Sequence, residues 1–288
     1  MTSLFDYIFV KQQKPTIVKL IRKVTVSHGR HLKSGINNLL DIEDNLNFTL
    51  NMKQKIVVFT GAGISKESGI PTFRDANGMW NKYDAKKLAS VAGFEENPQA
   101  VLDFYNARRK NLLEVEPNQA HYVLAELEKQ HDVTIVTQNV DNLHERAGST
   151  KVFHLHGELT KVTSSRNRLD PNCIMDYPLD TPIRIGDKAA DGSQLRPFIV
   201  WFGEFLGPEI EAAIDHVKNA DIFVVIGTSL VVYPAAGLIN YAHHEVPKFL
   251  IDPGEMGDRL PQGFKHIKAT AVEGVDVLLN EINDLCNT

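Results

Sequence analysis

The sequence predicts an α/β protein with a mostly parallel sheet covered by helices on both faces. Short apolar runs recur along the chain, helix-like stretches lie between several of them, and one segment interrupts this alternation. The apolar runs are residues 56–60, 133–137, 151–155, 221–226, 248–251 and 266–270. The helix-like stretches are residues 98–113, 118–130, 208–219 and 272–285. Residues 157–195 hold Pro, Asp, Gly and Arg in an irregular order, which indicates a small inserted module.

Length and composition limit the possible classes of protein. The chain has 288 residues, 43% hydrophobic and 23% charged, as expected for a globular protein with one large domain or two unequal ones. Its net charge of −5 argues against binding nucleic acid through bulk charge. The two cysteines, Cys173 and Cys286, exclude a disulfide framework and a four-cysteine metal site.

Neither a membrane span nor a secretion signal is predicted. The longest uncharged stretch, residues 222–242, is interrupted by Gly227 and Pro234, which favours a buried strand, a turn and a helix. The N-terminus lacks an apolar segment followed by a small-residue cleavage site. We therefore expect a cytoplasmic protein that binds neither membrane nor nucleic acid.

Residues 1–51 differ from the rest of the chain in charge. They carry seven of the 31 basic residues and four of the 36 acidic ones, a net charge of +3. Two interpretations remain open: a basic N-terminal extension, or upstream sequence translated from the wrong start codon, with Met52 as the initiator. We prefer the second because the segment contains no motif.

A glycine-rich turn follows the first predicted strand. Gly61, Ala62 and Gly63 stand where backbone N–H groups and a helix N-terminus can bind a pyrophosphate. Their spacing differs from the common dinucleotide-binding motif, and a tight structural turn is the alternative. Phe73 and Arg74 add an aromatic ring and a cation nearby, which a structural turn does not require.

Polar side chains follow the second predicted strand, at Gln138, Asn139 and Asp141. Ligands bind at the carboxyl ends of strands in such sheets, and buried polar groups there need partners. Helix capping explains one of the three, so we favour a binding role. His156 ends the third predicted strand, on the same face as His154. It is either structural or a general base, because imidazole titrates near neutral pH.

Taken in order, these motifs resemble those of the sirtuins, the NAD-dependent protein deacylases. The matching segments are residues 61–74, 137–148, 156–157, 196–204 and 227–236. The resemblance implies a catalytic domain at residues 52–288, with a Rossmann-like, doubly wound large domain. It also implies a small domain from insertions at about residues 75–130 and 157–195. The implied NAD-binding residues are Gly61, Ala62, Gly63, Ile64, Ser65, Glu67, Ser68, Phe73, Arg74, Trp80, Gln138, Asn139, Val140, Asp141, Gly227, Thr228, Ser229, Asp252 and Ala271. At Asp252 the family usually has Asn, although a carboxylate also accepts hydrogen bonds from ribose.

The resemblance also implies a reaction and its residues. His156 matches the family's catalytic base, and Asn139 and Asp141 are the other catalytic residues. The acyl oxygen of a modified lysine attacks C1′ of the nicotinamide ribose, nicotinamide leaves, and His156 takes a proton from a ribose hydroxyl. The products are nicotinamide, free lysine and O-acyl-ADP-ribose. The resemblance also implies that the enzyme is a monomer. The residues expected to bind the acylated lysine are Tyr105, Arg108, Val200, Trp201, Phe202 and Gly203.

Two departures from the usual family pattern concern zinc and specificity. Most sirtuins have a four-cysteine zinc ribbon, but the corresponding interval here contains Cys173 alone and no His, so we expect no structural zinc. Tyr105 and Arg108 lie one helical turn apart and resemble the Tyr-x-x-Arg pair with which class III sirtuins recognise acidic acyl groups. The alternative is a solvated basic helix surface.

Three functions remain open after the sequence is read. The first is a deacylase acting as a desuccinylase or demalonylase, or on glutaryl groups, with deacetylase activity besides. The second is an NAD glycohydrolase or ADP-ribosyltransferase on the same fold, and the third is an NAD-binding module without catalysis. Release of nicotinamide that depends on an acylated peptide distinguishes the first two, and absence of turnover leaves the third.

Overall fold

The structure is a computed structural model that describes residues 53–72, 85–257 and 260–287. The chain divides into two compact units, residues 54–278 and a second made of residues 1–53 and 279–288. The second unit is described at Lys53 and in the last turns of the C-terminal helix. The prediction for residues 1–51 lies outside the described residues, as do Phe73, Arg74 and Trp80.

The larger sheet has six parallel strands in the order β3-β2-β1-β7-β8-β9. The strands are β1 (Lys55–Thr60), β2 (Asp132–Thr137), β3 (Val152–His154), β7 (Ile222–Ile226), β8 (Lys248–Ile251) and β9 (Phe264–Ile267). Every residue of β7 and β8 is buried, as expected where helices cover both faces. The prediction of a parallel sheet is therefore confirmed.

The helices connect these strands. They are α1 (Ala62–Ser65), α2 (Ala85–Leu88), α3 (Val91–Glu96), α4 (Pro98–Glu114), α5 (Gln119–Leu127), α6 (Leu143–Ala147), α7 (Glu209–Lys218) and α8 (Ala271–Asn287), with 3-10 turns at Lys66–Ser68 and Ala235–Tyr241. α4 begins where the Asn97 side chain accepts the N–H of Ala100, with Pro98 at the first position. Among the described helices, none is long and apolar enough to cross a membrane.

A second, antiparallel sheet has the order β5-β4-β6, and we call it the small sheet. Its strands are β4 (Gly157–Ser164), β5 (Met175–Asp176) and β6 (Leu195–Ile199). The segment predicted as an irregular module therefore begins with an eight-residue strand. The boundaries of an inserted small domain stay a prediction.

The strand order positions the site. From β1 the chain moves outward through β2 to β3, and it later returns to the other side of β1 with β7. Thr60, the last residue of β1, is paired with Thr137 on one side and with Ile226 on the other. Three carboxyl ends therefore meet at the topological switch point, where α/β sheets bind ligands.

Candidate active site

The glycine-rich turn after β1 packs directly against the loop after β7. The N–H of Gly61 donates to the carbonyl of Ile226 at 3.0 Å, and that of Gly63 donates to the carbonyl of Gly227 at 2.8 Å. A Cβ at Gly227, where φ is +62°, would lie 2.5 Å from the amide nitrogen of Ile64. The sequence suggested that glycine lets phosphates approach, and the structure adds a second reason: the two turns leave no room for a side chain.

Ser65 joins this turn to the polar residues after β2. The buried Ser65 hydroxyl donates to Oδ2 of Asp141 at 3.1 Å and accepts from Nδ2 of Asn139 at 3.0 Å. The same amide nitrogen lies 3.2 Å from the carbonyl oxygen of Gly61. Three residues that the sequence assigned to one site therefore share hydrogen bonds. We call residues 60–65, 137–141, 156 and 227–228 the strand-end site.

Asp141 is 5% exposed and sits at the start of α6. Its Oδ1 accepts the N–H of Leu143 at 3.2 Å, but the N-cap position of α6 belongs to Asn142, whose side chain makes no cap hydrogen bond. Burial raises the pKa of Asp141 above its usual value, although the hydrogen bonds from Leu143 and Ser65 and the charge of His154 oppose this. Perturbed carboxyl groups of this kind are typical of functional sites.

Gln138 and His156 complete the strand-end site. Nε2 of Gln138 donates to Oγ1 of Thr228 at 2.8 Å, which ties the end of β2 to the loop after β7. Nδ1 of His156 lies 3.0 Å from the carbonyl oxygen of Gln138. Because a carbonyl only accepts, Nδ1 carries the hydrogen and Nε2 has the lone pair. No described residue hydrogen-bonds to that Nε2.

Burial keeps His156 neutral. It lowers the pKa of His156 below the usual value of 6.5, and the hydrogen bond to the Gln138 carbonyl opposes this only in part. A neutral imidazole with a free Nε2 can take a proton at physiological pH. β3 ends at His154, two residues before His156, so the two rings do not share one regular strand. Both nevertheless contact the segment after β2, because Nδ1 of His154 lies 3.0 Å from the Asn139 carbonyl oxygen.

Buried residues that the sequence analysis did not assign to the site hydrogen-bond to one another and to the segment after β2. Oγ1 of Thr60 donates to Oγ1 of Thr137 at 2.8 Å, and that oxygen accepts the N–H of Asn139 at 3.0 Å. Nε2 of His144 lies 3.1 Å from Oγ1 of Thr60. Burial lowers the pKa of His144 well below its usual value, so this ring is neutral. The signal available in the sequence was a threonine at the end of each of two adjacent strands.

Of the remaining predicted NAD-binding residues, those that the structure describes follow strands of the larger sheet. The Glu67 carboxylate accepts the N–H of Val272, the residue after Ala271, at 3.0 Å. Oγ of Ser68 is 3.0 Å from Nδ2 of Asn118. Asp252 follows β8, and its Oδ1 accepts the N–H of Gly254 at 2.8 Å. Three further predicted residues are buried or half-buried: Ala62, Ile64 and Ser229.

One pocket adjoins the strand-end site. Its lining residues are Ile70, Pro71, Arg108, Asn111, Leu112, Val140, Asp141 and Leu159. Arg108 of α4 therefore faces the same pocket as Asp141. Burial lowers the pKa of Arg108, opposed by Tyr105 and Asp141, but a guanidinium still stays charged at neutral pH. The neighbouring Arg109 is fully buried, so the alternative of a solvated basic helix surface is wrong there.

Tyr105 is held by the segment after β6. It is 1% exposed, and its hydroxyl oxygen accepts Nε1–H of Trp201 at 3.1 Å. The guanidinium carbon of Arg196 stacks 3.2 Å from the centre of the Trp201 ring, and Nη1 of Arg196 lies 2.8 Å from Oε1 of Glu204. The N–H of Val200 donates to the His156 carbonyl at 2.9 Å. Two of the residues predicted to bind substrate, Phe202 and Gly203, are exposed.

Within the described ranges, no group of three or more His, Cys, Asp or Glu residues could hold a metal ion. The small sheet and its loops are instead tied by hydrogen bonds. Nη1 of Arg109 donates to the carbonyl of Leu159 at 2.7 Å, and Nη2 donates to that of Pro178 at 2.6 Å. Asp191 accepts from the hydroxyls of Ser164 and Ser193, each at 2.7 Å.

Comparison with known proteins identifies the family. A model described as the Sir2 family matches residues 61–234 of this chain. The chain belongs to the Sir2 family. An NAD-dependent protein deacylase of Bacteroides thetaiotaomicron is 55% identical over 226 residues, which are 78% of this chain and 96% of that protein. Another, from Helicobacter pylori, is 49% identical over 234 residues, 81% of this chain and 100% of that protein.

Solved structures agree with this assignment. A Sir2 homolog in complex with NAD is 35% identical, with a TM-score of 0.70, over 90% of this chain and 97% of its own. A Sir2 protein with a deacetylated p53 peptide and 3′-O-acetyl ADP ribose is 31% identical, with a TM-score of 0.65, over 83% of this chain and 97% of its own. The predicted Rossmann-like fold is confirmed. At the level of the family, the chain is a sirtuin-type, NAD-dependent protein deacylase with NAD as co-substrate.

Proposed function

We propose that this sirtuin removes acidic acyl groups, namely succinyl, malonyl or glutaryl, from lysine side chains of proteins, with acetyl groups as poorer substrates. The observation that carries the proposal is the position of Arg108 in the pocket that Asp141 also lines. A fixed cation beside the reaction centre favours an acyl chain that ends in a carboxylate. The relatives named as protein deacylases and the Sir2–peptide complex support acylated protein as the substrate.

Tyr105 contributes a hydroxyl hydrogen to the same carboxylate. The Trp201 indole N–H occupies one lone pair of the Tyr105 oxygen, which leaves the phenol free to act as a donor. Burial raises the pKa of Tyr105, so the phenol stays protonated at neutral pH. A guanidinium fork and a phenol can together bind one carboxylate through several hydrogen bonds.

His156 acts as the base in this proposal. Once the acyl oxygen has displaced nicotinamide from C1′, Nε2 of His156 takes a proton from the ribose hydroxyl, whose oxygen then attacks the acyl carbon. Asn139 and Asp141 orient the ribose and the carboxamide from the end of β2. Their hydrogen bonds to Ser65 support this role, because they fix both side chains before ligand binds.

The test compares three substrates and two variants of helix α4. Nicotinamide release from NAD is measured with succinyl-, acetyl- and unmodified lysine peptides, with His156→Ala as the inactive control. Arg108→Met is expected to lower kcat/KM for succinyl-peptide about ten- to a hundredfold, and that for acetyl-peptide much less. Lys110→Met, an exposed change on the same helix, is the matched control.

Three outcomes separate the alternatives. Equal losses on succinyl- and acetyl-peptide would remove Arg108 from acyl recognition. Release of nicotinamide that ignores the peptide would make the protein an NAD glycohydrolase or ADP-ribosyltransferase. Absence of turnover with every substrate would leave an NAD-binding module.

We also propose that the protein needs no structural zinc. The hydrogen bonds from Arg109 to loop carbonyls support this, since they tie together the part of the chain where most sirtuins carry a zinc ribbon. Purified protein is expected to contain far less than one zinc per chain, and EDTA should leave its Tm unchanged. Stoichiometric zinc, or a large loss of Tm on chelation, would contradict the proposal.

A further inference from the structure

His154 and His156 differ at the ring nitrogen that faces away from the segment after β2. Nε2 of His154 lies 2.7 Å from Oε1 of Glu145, whereas that of His156 has no hydrogen-bond partner among the described residues. One ring therefore has two partners and the other has one. The ring with two partners is the one to which neither the motifs nor the proposed reaction assigns a role.

Both partners of His154 are acceptors. The carbonyl of Asn139 cannot donate, and the Glu145 side chain, 39% exposed, is a carboxylate at neutral pH. A neutral imidazole has one N–H and would leave one of the two contacts without a hydrogen. Both contacts are hydrogen bonds at once only in an imidazolium, whose charge would lie inside the protein because the His154 side chain is 6% exposed.

Charged or titratable groups from several elements face His154. Glu145 and His144 belong to α6, Glu158 to β4, and Asp141 to the loop after β2. Burial acts to lower the pKa of His154, but the hydrogen bond and the charge of Glu145, helped by Glu158, raise it above the usual value. The imidazolium in turn counteracts the effect of burial on the Asp141 carboxyl group.

We propose that His154 is a positioning residue of the NAD site: as an imidazolium paired with Glu145, it anchors the carbonyl of Asn139 and thereby holds residues 138–141 in place. Asn139 can bond both Ser65 and Gly61 only while its backbone stays where it is. This inference rests on the proposed function for its activity measurement alone. Protonation of His154 and binding of NAD can be measured without turnover.

The hydrogen bond from His154 to the Asn139 carbonyl should be lost at alkaline pH and kept at neutral pH. Because the pKa of His154 is raised, the imidazolium persists through neutral pH. Above that pKa the ring keeps one hydrogen, which the Glu145 carboxylate, a stronger acceptor than a carbonyl, holds on Nε2, so the bond from Nδ1 to the Asn139 carbonyl is lost as pH rises. Removal of the Glu145 charge lowers the pKa of His154 but also removes the stronger acceptor, so the hydrogen of the neutral ring stays on Nδ1 and the alkaline loss disappears. A residue with only a packing role would reduce activity equally at every pH.

The first experiment uses Glu145→Gln with Glu116→Gln as its matched control. Glu116 forms an ion pair to α6 as well, at 2.7 Å from Nη2 of Arg146. Ring-nitrogen NMR shifts of His154, assigned by their absence in His154→Gln, are expected to report an imidazolium at neutral pH in the wild type and in Glu116→Gln. The wild type and Glu116→Gln should lose kcat/KM for NAD at alkaline pH, and Glu145→Gln should not.

The second experiment tests rescue by a neutral donor. His154→Leu removes the hydrogen bond to the Asn139 carbonyl and should raise the Kd for NAD about tenfold, as measured by calorimetry. His154→Asn keeps an N–H at the position of Nδ1 and should recover most of the affinity, without the alkaline loss.

Three results would overturn the proposal: a neutral His154 ring at neutral pH in the wild type, an alkaline loss in Glu145→Gln equal to that of the wild type, or equal impairment of the Asn and Leu variants. If no acylated peptide is turned over, the deacylase proposal fails, and the NMR and calorimetry still decide the role of His154.

Discussion

The strand-end site and the small sheet are held together by opposite means. In the strand-end site, two turns touch through their backbones, and Gly63 and Gly227 lie so close that neither can carry a side chain. In the small sheet, one long side chain from α4 reaches across to backbone carbonyls, and Arg109 donates to those of Leu159 and Pro178. The packing of the first region therefore depends on the absence of side-chain atoms, and that of the second depends on hydrogen-bond donors from side chains.

This difference determines which substitutions each region tolerates. A region built on backbone contact loses stability when an atom is added, because nothing nearby is flexible enough to move. A region built on long-range hydrogen bonds loses stability when a donor is removed, because buried carbonyls are left without partners. Additions should therefore harm the strand-end site most, and deletions the small sheet.

Gly227→Ala should have the largest effect on stability. The added Cβ would lie 2.5 Å from the Ile64 nitrogen at a φ of +62°, so we expect the free energy of unfolding to fall by about 2–5 kcal/mol, with loss of NAD binding. Gly192→Ala is the matched control, since φ is +78° there and no atom lies within 4 Å. It should cost about 1–2 kcal/mol from backbone strain alone. Urea unfolding measures both, and equal costs would mean that crowding is not what the glycine relieves.

Arg109→Met should have the next largest effect. It removes the guanidinium that donates to the carbonyls of Leu159 and Pro178, of which the Pro178 carbonyl keeps the Thr181 N–H at 3.0 Å, and we expect the free energy of unfolding to fall by about 3 kcal/mol. Hydrogen exchange should rise first in residues 177–183, before residues 60–65. Lys110→Met, the exposed neighbour, should change stability by less than about 0.5 kcal/mol. Uniform exchange across both regions would show that Arg109 does not act locally.

The same contrast explains which features of the fold and the site could be predicted from the sequence. The strands and the glycine turn are local patterns of apolar runs and breakers, so β1, β2 and β7 lie where the apolar runs predict them. The hydrogen bonds of Arg109 reach carbonyls that are 50 and 69 positions away in the sequence. Arg109 is the second of three consecutive basic residues, and the sequence does not show which of the three is buried. His154 and Glu145 pair across nine positions, from a strand to a helix that begins only at Leu143. Such pairs depend on how elements pack, which no local pattern encodes.

Asp191→Asn should have the smallest effect, visible only through its pH dependence. Hydrogen bonds from the hydroxyls of Ser193 and Ser164 and from the Ser193 N–H lower the pKa of Asp191 from 3.8 to about 2. A depressed carboxyl pKa stabilises the folded state above the unfolded-state value, and this contribution is lost as pH falls through the folded-state value.

The Tm difference between wild type and Asp191→Asn should therefore be constant above about pH 4 and shrink as pH falls toward about 2. Asp176→Asn, an exposed change in β5 of the same sheet, should show no such convergence. A difference that persists unchanged at low pH would mean that the Asp191 side chain acts through packing rather than through charge. The small sheet would then depend less on its hydrogen bonds than the contacts of Arg109 suggest, and the contrast with the strand-end site would weaken.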